Sequence, residues 1–482
     1  MLIPFFGQIK LKSRANDIAE KLVEAKKVLI VSHIDTDGIT SASIAYKSLS
    51  RKGIECDVKF VKQLEKDTIT QLKNQDHEMI WFTDFGSGQL NELNGLNCVI
   101  TDHHVPQGNL GAPPRDQRGN LLNYGCSKIL ELNPHRYGID GANELCGAGT
   151  TYLVAKELGD NVDLTKLAVI GAVGDLQISK EGKLIGKNRE ILKEGLAAGY
   201  IEKRIDAQLY GLESRPLYKV LEYASDPILP GLTGDKNACI NFLVEQDIPL
   251  KEEDEWRRWY HLSKEEKRRI LSGIANRLLE TGYPAEYVES LVGEVYTFPD
   301  EETGSMLHQA KEFSTLLNSC GRYKKGEIGL KVCLGDRGEY LKKALQLLKG
   351  HQKVLVDCLK YVKRDGITER DFIQYFHGKD KIPDTVLGTV AGMILGSGDV
   401  DRSLPIIGLT ESSEKDGLKV SSRGTKKLIK RGLDLSLIMS KCSEYVGGEG
   451  GGHDIAAGAY IPEGAEKKFL DKAEKMIEQQ LE

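Results

Sequence analysis

Long apolar runs are missing from this chain. Its longer runs, such as Val28–Val31 and Leu167–Val173, fall far short of the ~20 residues that cross a bilayer, so no membrane-spanning helix is expected. The opening MLIPFFGQIKLKSR has neither an extended apolar stretch nor a small-residue cleavage site, so no signal peptide is expected and the chain is read as cytoplasmic. Nine cysteines (56, 98, 126, 146, 239, 320, 333, 358 and 442) are scattered, with no C-x-x-C pair, and a zinc ribbon is unsupported. Their odd number and apolar settings predict reduced, mostly buried thiols. An excess of basic charge is lacking too. A net charge of −5 excludes a uniformly basic nucleic-acid coat, but leaves room for a local basic channel. Internal repeats and long disordered tracts are absent.

What is present is 482 residues of ordinary globular composition, too long for one hydrophobic core and therefore two or three domains. Residues 1–190 alternate helical patterns with short β-rich runs: KKVLIVSH, ECDVKFV, EMIWFTD and NCVITDHH as strands, GITSASIAYKSLSRKG and DTITQLKNQ as helices. Such alternation predicts an α/β domain with a largely parallel sheet, whose ligands gather beyond the carboxyl ends of the strands. Residues 191–312 read as a charged, helical middle segment. There Ser263 and Glu266 form a capping box ahead of an Ile270, Leu271, Ile274, Leu278 stripe. Trp256 and Trp259 in this segment are read as core residues or a docking surface. Residues 313–482 form a second, smaller α/β pattern, with KVCLGD, KVLVDCL, LPIIGLTE, LKVSSRG and AAGAYIP as strands.

Four segments place an acidic residue at the end of an apolar run: SHIDTDG (His33, Asp35, Asp37), FTDFG (Asp84), TDHH (Asp102, His103, His104) and AVGDL (Asp175). A single Asp closing a strand is ordinarily just a helix N-cap. Four carboxylates in one crevice repel one another, and coexist only through shifted pKa values or bound cations. Mixed oxygen and imidazole donors suit Mn2+, Co2+ or Zn2+ better than Mg2+, and two ions, Mn2+ first with Mg2+ or Co2+ as alternatives, are expected. Two such ions suit in-line phosphoryl displacement.

In order and spacing these segments resemble the signature motifs of the DHH phosphoesterases, most closely the archaeal RecJ-like branch. The resemblance implies that Asp35 and Asp84 hold one metal, with His33 a further ligand. It implies that Asp37, Asp84, His103 and Asp175 hold the second, making Asp84 the bridge. His104 would face the scissile phosphate, and Asp102 would support the histidines. His33 departs from the branches, such as family II pyrophosphatases, that set the first histidine further ahead of the Asp pair; RecJ-like members often carry Asp there. The segment LNPHRYGIDG…LCGAGTTY also resembles archaeal RecJ-like proteins, and its His135 is either a phosphate contact or part of a turn.

Near the C-terminus, GGEGGGHDIAAGAYIP resembles the glycine-rich motif of a DHHA1 domain. Its Gly451, Gly452 and His453 would approach an anion. Upstream, SSRGTKKLIKRG places Ser422 and Arg423 beside Lys426, Lys427, Lys430 and Arg431. This spacing predicts one basic stripe on a helix, with Arg423 as phosphate clamp. The resemblance thus implies a DHH catalytic domain (1–190), a helical linker or insertion (191–312) and a DHHA1 substrate-binding domain (313–482), with the active site in the cleft between. The expected function is metal-dependent exonucleolytic hydrolysis of single-stranded DNA or RNA. A small-substrate phosphoesterase (for oligoribonucleotides, phosphoadenosine phosphate or cyclic dinucleotides) is the alternative within enzymes. A replisome scaffold docking on GINS is the alternative outside them.

Overall fold

The computed structural model describes residues 3–74, 77–108, 129–224, 229–283, 285–396, 400–413 and 416–481. The chain divides into two compact units. One is Met1–Arg215, Arg258–His261 and Ala285–Leu348; the other is Pro216–Arg257, Leu262–Pro284 and Lys349–Glu482.

In the first unit α1 (Ile3–Val23) leads into β1 (Lys27–His33), α2 (Thr36–Arg51), β2 (Glu55–Val61), α3 (Lys66–Lys73), β3 (Met79–Thr83), β4 (Cys98–Thr101) and β5 (Leu130–Leu132). All pairings are parallel, in the order β2-β1-β3-β4-β5. The strands are apolar on both faces because both are covered. Val28, Ile30, Trp81 and Val99 meet Ile18 and Leu22 of α1 on one side, whereas Leu29, Val31, Ile80, Phe82 and Ile100 meet Ile69 and Leu72 of α3 on the other. Trp81 is fully buried, and its indole N–H donates to Thr101 Oγ1 at 3.0 Å. The chain turns one way from β1 to β2 and the other way to β3, so a crevice opens at the carboxyl ends of β1 and β3.

Three further helices, α4 (Gly147–Leu158), α5 (Thr165–Gly174) and α6 (Gly186–Ala197), build a second core with α2 and the helix Ala310–Arg322. Glu312 of that last helix is fully buried. It accepts from the backbone N–H of Glu213 at 2.8 Å and from the Ser214 hydroxyl. Burial pushes its carboxyl up to about 7, against the pull of these donors. A carboxyl raised in the folded state adds stability that is complete below its unfolded value of 4.5 and is lost as pH rises through 7. The loss amounts to about 3 kcal/mol at 1.36 kcal/mol per unit. Denaturant titrations of Glu312→Gln between pH 4.5 and 8 are expected to show a flatter pH dependence, by roughly one proton's linkage, than the wild type.

The second unit contains a mixed six-stranded sheet of Thr368–Glu369, Gln374–His377, Ile406–Glu411, Leu418–Arg423, Ala456–Ile461 and Glu449–Gly452, in that spatial order. Only Gln374–His377 and Ile406–Glu411 run parallel. Helices Leu435–Tyr445 and Glu466–Leu481 pack through Ile438, Met439, Phe469 and Ile477 onto a core that includes Ile407, Leu409 and Val420 of the sheet.

Several elements differ from the sequence reading. KVLVDCL lies in the helix Glu339–Asp365 and the first three residues of KVCLGD end the helix Gly326–Cys333; neither forms a strand. Short runs of Val, Leu and Cys fit either period, and here the buried positions Ala344, Leu348, Cys358 and Val362 fall at helical spacing. The middle segment is not purely helical. It contributes Glu202–Ala207, paired antiparallel with Val292–Thr297, and a hairpin Lys251–Glu252/Glu255–Trp256. The first pairing spans some ninety residues of chain and leaves no local turn signal. The capping box of Ser263 and Glu266 is present. Trp259 is buried, with its indole N–H 2.7 Å from Asp206 Oδ1. Of the cysteines, Cys126 lies outside the described residues; the other eight are free thiols, all buried except the half-buried Cys56. No described helix is long and apolar enough to cross a membrane.

Candidate metal centre

β1 ends at His33, and the chain turns at once into α2 with Asp35 as its N-cap, Oδ1 accepting from Gly38 N–H at 2.9 Å. Ser32 fastens this turn to β3: its hydroxyl donates to the Gly38 carbonyl at 2.7 Å and accepts from the Thr83 hydroxyl at 2.7 Å. A side chain at position 38 would overlap the His33 carbonyl, so glycine is required. One helical step further in, Asp37 is 1% exposed. Gly147 and Ala148, at the N-terminus of α4, donate their N–H groups to its two oxygens at 2.6 and 2.9 Å.

Asp84 follows β3 with φ 63°, a left-handed conformation that Asp tolerates better than most residues. It is 1% exposed, yet neither carboxylate oxygen accepts a hydrogen bond. His103 Nε2 lies 3.2 Å from its Oδ1, and His33 Nδ1 lies 3.6 Å from its Oδ2. His33 Nδ1 also lies 3.0 Å from Asp35, while His103 Nε2 is 3.6 Å from Asp37. Asp175 caps the C-terminus of α5, with Oδ2 3.7 Å from His103 Nδ1. Its neighbour Leu176 takes φ 58° and is 85% exposed. That turn lets both Asp175 and Gln177 face inward.

His103 Nδ1 donates to the Gly141 carbonyl at 2.7 Å, which directs Nε2 at the carboxylates as a ligand nitrogen. Asp102 receives the backbone N–H groups of Ser87, His103 and His104 as well as His104 Nδ1 at 2.8 Å. His104, with its side chain 57% exposed, therefore presents Nε2 outward.

The electrostatics show a cluster short of positive charge. Burial pushes the Asp37 carboxyl well up, with Asp84 and Asp175 adding to it. Burial likewise lifts Asp175 to about 6. Burial alone would raise Asp84 as well, but His103 and His33 outweigh it and hold its carboxyl below the usual range. Burial disfavours charged imidazoles, yet Asp35 and Asp84 overcome this and raise His33 to about 10, and His103 is driven up by the same kind of neighbours. The Asp102 hydrogen bond, against burial, raises His104. A buried carboxylate without hydrogen bonds is costly unless a cation meets it, and the donor set here fits divalent ions. His33, Asp35 and Asp84 converge within 4.8 Å, as do Asp37, His103 and Asp175, and Asp84, His103 and His104.

Neighbouring carboxylates raise His33 and His103, and an imidazole nitrogen that takes up a metal ion gives up its proton. Calorimetric titration with Mn2+ at pH 7.5, in two buffers of different ionisation enthalpy, is expected to report net proton release. Release near zero would contradict the assignment of these histidines as ligands.

Sequence reasoning passed over several participants. Gln177 donates to Asp175 Oδ2 at 2.8 Å and to the Gly141 carbonyl at 2.7 Å. Buried Asn133 ties the His104 carbonyl at 2.9 Å and the His135 N–H at 3.0 Å. The helix Ala310–Arg322 closes on the SHIDTDG turn, where Asn318 accepts from Thr36 N–H at 3.1 Å and the Cα of Gly321 abuts the Ile34 carbonyl. Arg322, the last residue of that helix, is exposed, and no described carboxylate pairs with it. His135 itself sits in the 3-10 turn Pro134–Tyr137.

In the second unit, Ser422 is fully buried and its hydroxyl donates to the Ala457 carbonyl at 3.1 Å. Arg423 ends the strand Leu418–Arg423, and its guanidinium donates to the Ser422 carbonyl at 2.8 Å and rests on Gly388. Burial lowers its pKa. The continuous basic helix expected there is not found. The helix is only Lys426–Lys430, so Arg423 lies outside it and Arg431 is its cap, because Gly424 and Thr425 break the path. Lys426, Lys427 and Lys430 are exposed. Gly451 and Gly452 lie in an antiparallel hairpin opposite Gly458 and Ala457, with exposed His453 in its turn.

Three family models match this architecture: the DHH family, N-terminal domain over residues 27–172, the DHH-CID domain over 209–292 and the DHHA1 domain over 370–479. An uncharacterized protein of Methanocaldococcus jannaschii, MJ0831, is 31% identical over 460 residues, 94% of each chain. The single-stranded-DNA-specific exonuclease RecJ of Thermus thermophilus is 23% identical over 266 residues, 51% of this chain and 36% of that one. Its structure in complex with Mn2+ superposes at TM-score 0.57 and 18% identity, covering 97% of this chain and 55% of RecJ. This chain thus spans only about half the length of that relative. CDC45 of Entamoeba histolytica superposes at TM-score 0.60 and 15% identity, covering 98% of both chains. With all three domain types matched in order and a relative of this extent, the chain belongs to the DHH/DHHA1 family, as a RecJ-like member.

Proposed function

We propose that this protein is a metal-dependent phosphodiesterase that degrades single-stranded DNA or RNA from an end. The observation that carries the reading is Asp84: wholly buried, without a hydrogen bond, and ringed by imidazoles and carboxylates that converge on it. One ion would be held by His33, Asp35 and Asp84, the other by Asp37, Asp84, His103 and Asp175. Bound there, Mn2+, Mg2+ or Co2+ would supply Lewis-acid charge at the reacting phosphoryl group.

The chain's own residues divide the remaining work. The α4 N–H groups orient Asp37, and the Gly141 carbonyl orients His103. His104, whose pKa Asp102 raises, would face the phosphate and deliver a proton from Nε2 to the departing oxygen. Arg423, Lys426, Lys427, Lys430 and the Gly451, Gly452, His453 hairpin are proposed to bind strand as part of the DHHA1 domain.

The CDC45 likeness favours a second reading, a replisome scaffold docking on GINS. An acidic cluster kept for no ion would be a liability to a pure scaffold. Initial rates in Mn2+ on a single-stranded 20-mer and on a dinucleotide separate the readings. A nuclease is expected to favour the 20-mer in kcat/KM by about ten-fold or more, since additional phosphates are engaged. Preference for the dinucleotide would turn the reading to a small-substrate phosphoesterase, and no turnover of either would leave the scaffold.

A further inference from the structure

The longest helix, Glu339–Asp365, carries a feature outside the metal centre. From Lys349 onward it belongs to the second unit, whose core it meets through Cys358 and Val362, with Val354, Leu355 and Leu359 packed alongside. Lys349, Lys353, Lys360 and Arg364 are all exposed and stand four, seven and four residues apart. Those intervals are whole turns of an α-helix, so the four cations line one straight stripe about 22 Å long at 1.5 Å per residue.

Charge on this stripe is not neutralised locally. None of the three lysines has an ion-pair partner among the described residues, and Arg364 stacks on Tyr361 at 5.6 Å. Of the acids on this helix, Asp365 is taken up by Lys379 at 3.3 Å, and exposed Asp357 stands four residues after Lys353 and three before Lys360, with no ion pair to either. Elsewhere exposed lysines of this chain pair readily, as Lys343 does with Glu339 and Lys441 with Glu444. In a chain of net charge −5, an unpaired row of four cations is a local exception, and its chemical complement is a linear polyanion.

We propose that Lys349, Lys353, Lys360 and Arg364 form a track for the phosphate backbone of a single strand. This rests on the nuclease reading and extends it to a binding surface. At 3.4 Å per phosphate of a stacked strand, the stripe matches about six nucleotides. Because it touches only backbone, it serves DNA and RNA alike and confers length preference without sequence preference.

The test is fluorescence anisotropy with a labelled, phosphorothioate-linked single-stranded 20-mer in Mn2+, across a range of salt. Three proteins are compared: wild type, the combined Lys349→Ala, Lys353→Ala, Lys360→Ala variant, and a control with Lys467→Ala, Lys468→Ala and Lys475→Ala. The control removes the same charge from exposed positions of the helix Glu466–Leu481. Each single-strand contact is worth a slope of about −0.7 in log K against log salt, so the stripe variant is expected to flatten the slope by roughly 2 units and to weaken binding about ten-fold or more near 0.1 M salt. The control is expected to follow the wild type. An unchanged slope in the stripe variant, or an equal change in the control, overturns the track while leaving the nuclease reading intact. A wild type that binds no single strand overturns both.

Discussion

Asp84→Asn is expected to lower Mn2+-dependent hydrolysis by roughly 10³-fold or more, because the ions proposed to share this carboxylate would supply several kcal/mol of transition-state stabilisation. Asn is the informative replacement. The position has φ 63°, which Asn tolerates nearly as well as Asp, so the backbone is kept. What is lost is the charge that His33 and His103 both approach. The melting temperature without metal should stay close to that of the wild type, while the rise on adding Mn2+ should largely vanish. A variant that retains more than a few per cent of turnover would contradict the bridging role.

Gly147→Ala should have the second largest effect, through sterics alone. A Cβ there would lie 2.5 Å from Asp84 Oδ1 and 2.8 Å from Asp84 Cβ. The helix end cannot retreat freely, since Gly147 N–H is bonded to Asp37 at 2.6 Å. The methyl group must therefore push Asp84 off its place or pull α4 away from Asp37. Overpacking of this kind costs about 1–3 kcal/mol. Disturbed support of metal ligands typically costs about 10–100-fold in affinity. Calorimetric Mn2+ titration, with a thermal melt as fold control, reads both. Full metal affinity in a folded variant would mean that the α4 N-terminus is not part of the site.

The four acidic motifs were legible in the sequence because each Asp follows a short buried apolar run, a strand of the sheet for three of them and helix α5 for Asp175, a pattern local to eight or ten residues. His33, Asp35, Asp37, Asp84, His103 and Asp175 could be gathered from it. The residues that hold them could not. Gly147 meets Asp37 across 110 positions of chain, and Asn318 meets Thr36 across 282. Nothing in LCGAGTTY or LNSCGRYKK declares those contacts. Gln177 escaped notice because a polar residue after an Asp ordinarily reads as loop; only the left-handed turn at Leu176 sends it inward. The same limit explains the basic residues. A helical wheel drawn through Arg423 and Lys426 ignored that Arg423 ends a strand, whereas the row on Glu339–Asp365 was hidden because KVLVDCL, in the middle of that helix, was read as β for its valines and leucines.

The most direct test of the central claim is digestion of end-labelled single-stranded DNA and RNA 20-mers by the full chain, with Mn2+ and with EDTA, resolved to single nucleotides. Progressive shortening from one end in Mn2+, absent in EDTA and absent with Asp84→Asn, is the expected result. Intact strands in Mn2+ under conditions where calorimetry shows the ions bound, or shortening that survives EDTA, would contradict it.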